Sequence, residues 1–197
     1  MALTFLSADS NKEVLHEVST KGDVRRRDLT KQRNEKLQDF QSRKMRHSTV
    51  CAGDLARIRL EHARACAQDY CNAVFQVVEA DGIALTPGQL AEIGKHVVIL
   101  ISALQRECET DIHSELDHMA VSSVSAQMLD ANRQRFEALM KEVQREIDVR
   151  GSQLKRKLRK DMSTSWKQRR EQGIWVLIGV GVTLLTQWLL RTLGLPP

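Results

Sequence analysis

The chain has 197 residues, of which 28% are charged and 4% aromatic, with 3 prolines, 4 cysteines and a net charge of +5. Few helix breakers and many Ala, Leu, Arg, Gln and Glu favour helix throughout, and no alternating Val/Ile/Thr runs bounded by turns call for strands. The fold class expected is therefore all-α: an antiparallel helical hairpin or bundle, plus a long helix leading into one C-terminal transmembrane helix.

Charge is unevenly spread. Residues 1–50 carry 11 basic and 7 acidic side chains, residues 51–150 carry 10 and 16, and residues 151–172 carry 8 and 2. The body is acidic and its flanks are basic. A nucleic-acid binder concentrates positive charge on its folded body, so nucleic acid is not the expected partner. Cys51, Cys66, Cys71 and Cys108 show no CxxC spacing and read as small hydrophobes in helices, reduced in a cytoplasmic domain.

The chain divides into a basic arm (1–50), a helical domain (51–150), a basic juxtamembrane helix (151–172) and a membrane helix (173–195). The first residues, MALTFLSADS, lack the basic start and long apolar core of a signal peptide. Up to Arg27 the arm reads as mobile, with at most one short helix. From Asp28 to His47 the apolar residues are Leu29, Leu37, Phe40 and Met45, a stripe too thin to hold a helix without a partner.

From Asp54, read as the N-cap, Leu55, Ile58, Ala65, Cys66, Ala73, Val74 and Val77 recur at three-to-four spacing up to Ala80, where Asp81-Gly82 ends the helix. The next helix opens on a Thr86-x-x-Gln89 capping box with Pro87 at the first position and a Leu85/Leu90 staple. The short loop between them predicts an antiparallel hairpin. Ile93, Val97, Leu100 and Leu104, with Val98, Ile99 and Ile101, make the second helix apolar nearly all round and place it at the centre of the core. The pattern runs on through Ile112, Leu116 and Met119 and weakens at the serines of 122–125. It resumes from Ala126 through Met128, Leu129, Phe136, Leu139, Met140, Val143 and Ile147 to Leu154 and Leu158.

The chemistry-bearing patterns are few. Glu13/His16 and Glu115/His118 have the Glu-x-x-His form that ligates metal in ferritin-like bundles, in only mild excess over chance. Glu109, His113 and Asp117 form an i, i+4, i+8 row that reads as a solvated face, and His62 with Cys66 reads as a hydrogen-bonded core pair. There is no Gly-rich phosphate loop, GxSxG elbow or HExxH motif, so no enzyme, metal or cofactor is expected.

Gly173 to Leu190 is eighteen residues without a charge. As a helix it spans about 27 Å, close to the hydrocarbon thickness of a bilayer, and Thr192 to Leu195 can extend it. Trp175 and Trp188 suit the two interfaces, and Lys155, Arg156, Lys157, Arg159, Lys160, Lys167, Arg169 and Arg170 precede it, against Arg191 alone after it. The positive-inside rule then places the N-terminal domain in the cytoplasm, of a bacterial inner membrane or an organelle, with anionic headgroups against the basic segment. Gly179, Thr183 and Gln187 form a small or polar stripe suited to helix-to-helix contact in lipid. The function these features imply is that of a tail-anchored, single-pass interaction or scaffold protein that tethers a protein partner or its own oligomer at the membrane. The alternative is a membrane-perturbing effector or small channel built from assembled spans.

Overall fold

The computed structural model describes residues 2–45, 48–116 and 126–160, and every regular element among them is helical. Helix α1 spans Ala8–Ser42, α2 Thr49–Ala80 and α3 Pro87–Leu116. Residues 126–153 form α4 and, with α1 to α3, belong to one compact unit. Residues 154–160, the described part of a second unit, are also helical.

The helix ends are written in local chemistry. Ser7 caps α1 by accepting from the Ser10 amide at 3.0 Å, and Ser48 caps α2 by accepting from the Cys51 amide at 3.2 Å. The expected cap at Asp54 is thereby corrected: the helix starts at Thr49, and Asp54 instead faces Lys36 at 3.4 Å and Arg57 at 3.5 Å. Thr86 and Gln89 close the reciprocal capping box, with Gln89 Oε1 accepting from the Thr86 amide at 2.7 Å and Thr86 Oγ1 from the Gln89 amide at 3.3 Å.

Helices α1 and α2 end in the same way. The Met45 amide reaches Phe40 O and the Lys44 amide reaches Gln41 O; likewise Ile83 reaches Val78 and Gly82 reaches Glu79. Each is a Schellman closure with a left-handed residue just past the helix, Gly82 at φ 65° and Lys44 at φ 56°. Only glycine takes that conformation freely, so Lys44→Gly is expected to raise stability by about 0.5–1 kcal/mol in urea unfolding, the relieved strain exceeding the added chain entropy.

Helices α2, α3 and α4 form a three-helix core. Tyr70 meets His96 and Arg59 meets Glu107, so α2 and α3 run antiparallel as expected. Cys108 meets Asn132 and Leu90 faces Gly151, so α3 and α4 are antiparallel too. Arg64 meets Glu142 and Asn72 meets Arg150, which makes α2 and α4 parallel neighbours. At Gly151 an added Cβ would lie 2.6 Å from Leu90 Cδ2; the glycine permits this close approach. The core is lined by Val74, Val78, Ile93, Val97, Ile101, Ile112, Phe136, Leu139 and Ile147, all essentially inaccessible. The expectation that α3 is apolar all round is corrected: Val98 and Ile99 are 39% and 45% exposed, because α3 packs only on α2 and α4 and leaves its outer side in water.

The largest departure from expectation is α1, a single 35-residue helix where a mobile arm was expected. Val18, Leu29 and Phe40 are eleven residues apart in sequence, about three turns with only some 20° of drift, so they fall almost on one line down the helix. Leu29 and Phe40 are buried, and Phe40 packs with Leu37 on Cys51 and Leu55 of α2. Charge supplies the remainder. Arg25 meets Asp69 at 3.0 Å, Lys36 meets Asp54 at 3.4 Å, and Arg33 lies 3.8 Å from Asp111. The basic arm has an acidic partner, and that partner is the body of the same chain.

A short hook holds the start of α1. Leu3 and Leu6 are buried, and the Asn11 side chain accepts from the Leu3 amide and donates to Leu3, Leu6 and Ser7 carbonyls. Ser10 Oγ donates to Asp81 at 2.7 Å, while the Thr4 amide and hydroxyl both donate to Glu92, each at 2.7 Å. Those two bonds from Thr4 hold the Glu92 carboxyl below its usual 4.5. A depressed carboxylate contributes stability above its unfolded pKa, and loses it as pH falls through its folded value. The hook is therefore expected to loosen as pH falls below the ordinary carboxylate range. The Thr4 amide resonance should move in that range in the wild type and stay flat in Glu92→Gln.

Candidate functional site

Helices α1 and α3 each pack along α2 but not on one another, and the space between them is a groove of about 370 Å³. Its floor is one face of α2, with Arg59, His62, Cys66 and Asp69 at spacings of three, four and three. One wall is the α1 row Val18, Gly22, Arg26, Leu29 and Arg33; the other is Leu100, Leu104 and Glu107 of α3. Leu100 and Leu104 are half-buried because their helix turns them to this groove and not to the core.

Ion pairs fix one end. Arg59 Nη2 and Nε lie 2.6 and 2.8 Å from Asp111 Oδ2, and Nη1 lies 3.1 Å from Glu107. That oxygen is already served by two N–H groups when Arg33 approaches, so the buried Arg33 Nε is left without a hydrogen bond. At the other end Asp69 is taken by Arg25. Arg26 makes no ion pair among the described residues.

His62 Nε2 lies 3.5 Å from Cys66 Sγ. Burial, followed by the nearby Arg59, lowers the pKa of His62, and burial, followed by Asp69, raises that of Cys66. Both shifts favour the neutral forms, the reverse of what a thiolate–imidazolium nucleophile needs. Burial also pushes the Cys71 and Cys108 thiols up, to about 12 and about 11. His96 is held at 2.8 Å by the Tyr70 hydroxyl, and burial lowers its pKa.

The other sequence candidates scatter. Glu13 and His16 are exposed on α1, and Glu109 is engaged by Arg133 at 3.0 Å and Gln105 at 3.0 Å while His113 faces solvent. The side chain of Glu115, and all of Asp117, His118 and Met119, lie outside the described residues, as does the expected break at 122–125. Among the described residues no group of three or more His, Cys, Asp or Glu is placed to hold a metal. Lys155, Arg156, Lys157, Arg159 and Lys160 are exposed on the helical residues 154–160. Lys167, Arg169, Arg170, Trp175, Gly179, Thr183, Gln187 and Trp188 lie outside the described residues.

Sequence reasoning singled out His62 and Cys66 but missed Arg26, Arg33 and Arg59 as a cluster. The signal was the spacing 18, 22, 26, 29 and 33, which becomes a row only once α1 is one helix. No protein-family model matches this chain, and neither a curated protein nor a solved structure matches it.

Proposed function

We propose that this protein is a tail-anchored membrane protein whose helical domain acts in the cytoplasm as an interaction module, holding a protein partner or further copies of itself at the bilayer. The observation that carries the reading is the uncharged run Gly173 to Leu190 directly after a dense basic segment. Among the described residues no helix is long and apolar enough to cross a membrane, and this run lies outside them. The exposed cations of residues 155–160 support the reading, since each cation near an anionic surface contributes about 1 kcal/mol. The bundle adds further support, because it offers a groove and amphipathic helices.

Extraction of membranes from cells producing the full chain tests this. The wild type is expected to stay in the pellet through high salt and alkaline carbonate, and Ile178→Arg with Val182→Arg is expected to move it to the supernatant, because each central arginine costs about 3 kcal/mol. Release of the wild type by high salt alone would mean peripheral binding and contradict the anchor.

A second reading rests on the Gly179, Thr183 and Gln187 stripe, which in an assembled bundle of spans would line a polar path. Ion leakage from vesicles that disappears in Thr183→Leu with Gln187→Leu would favour it over a plain anchor.

A further inference from the structure

The groove between α1 and α3 combines three properties that ordinary helix packing does not leave together. One wall offers the half-buried Leu100 and Leu104. The opposite wall has Gly22, where an added Cβ would meet nothing within 4 Å, so the space is open. Beside them stand two guanidinium groups with donors to spare, Arg26 without an ion pair among the described residues and Arg33 with only a long one, 3.8 Å to Asp111.

The charges around the groove set the sign and size of what fits. Arg25, Arg26, Arg33 and Arg59 face Asp69, Glu107 and Asp111, four cations against three carboxylates, which leaves one positive charge. His62 adds none, since burial and Arg59 keep it neutral. The Arg33 Nε is closed off beside Asp111, so the donors open to the groove are the outer N–H groups of the Arg26 and Arg33 guanidiniums, and a guanidinium fork matches a carboxylate in shape. An apolar wall without a covering side chain calls for hydrocarbon.

We propose that this groove binds a small monoanionic amphiphile, a carboxylate head on Arg26 and Arg33 with a short hydrocarbon tail along Leu100 and Leu104. A volume of about 370 Å³ is at the lower end of ligand cavities, which suits a single short chain and excludes a two-chain lipid. The inference does not depend on where residues 173–190 sit.

The probe is octanoate, titrated into the full chain, in nanodiscs of zwitterionic phosphatidylcholine if the chain inserts and in buffer if it does not, with 1-octanol, acetate and inorganic phosphate as comparisons. The readouts are the ring signals of His62 and the methyl signals of Leu100 and Leu104. Octanoate is expected to shift all three saturably at one equivalent, with the comparisons at least about tenfold weaker. Arg26→Gln is expected to weaken octanoate about tenfold or more, Gly22→Leu to abolish the shifts, and Gly22→Ala to preserve them. Unchanged helical content and core methyl signals show that the three variants still fold. Octanol binding as tightly as octanoate, Arg26→Gln without effect, or shifts that grow without saturation would overturn the proposal.

Discussion

Phe136→Ala is expected to remove about 3–5 kcal/mol of stability, a large share of what a domain of this size possesses. Phe136 is fully buried and is the largest such side chain among the described residues. It stands on the inner face of α4, between Asn132 and Leu139, where the three-helix core is closed. Truncation loses the transfer free energy of the ring and leaves a cavity that rigid helices on either side collapse only in part. In urea unfolding of the full chain in mild non-ionic detergent, the midpoint should fall sharply with little change in slope. A loss below 1 kcal/mol would mean that α4 does not pack as described.

Asn132→Asp is nearly isosteric, and is expected to cost about 3 kcal/mol at pH 8. Asn132 is 2% exposed, with Nδ2 donating to Cys108 Sγ at 3.5 Å and the thiol facing Oδ1 at 3.7 Å. Burial pushes that thiol up to about 11, so it stays protonated and can donate to only one oxygen of a new carboxylate. The second oxygen would be buried without a donor. The new carboxyl would have its folded pKa raised from about 3.9 to about 6. The penalty is complete above the raised value and disappears as pH falls below the unfolded one. Compared with wild type at each pH, the variant should be far less stable at pH 8 and nearly equal at pH 4. A penalty independent of pH would place its cause in packing and not in charge.

Much of the fold was legible because its signals are local. The Thr86 capping box, the Asp81-Gly82 stop and the periodic run from Leu129 to Ile147 need only neighbours in sequence, and each lies where the spacing puts it. Helix α1 was not legible, for the opposite reason. Its buried apolar residues are Val14, Leu29 and Phe40, too sparse for a short window, and its partners Asp54, Asp69 and Asp111 are distant in sequence. The charge imbalance between residues 1–50 and 51–150 was visible, and it needed the fold to show that the two cancel against one another. Asn132 escaped notice because a polar residue on an apolar face reads as an interruption until its partner Cys108 is seen. The groove depends on both of these long-range facts, so only its floor residues His62 and Cys66 stood out beforehand.

The most direct test of the anchoring claim is protease digestion of the purified full chain reconstituted into sealed phosphatidylcholine vesicles, followed by mass spectrometry of what the bilayer protects. Chains with the helical domain outside are expected to lose everything up to the basic segment and keep a fragment that starts near Arg170 and contains Gly173 to Leu190. Digestion through that run, with no protected fragment in vesicles that remain sealed, would contradict it.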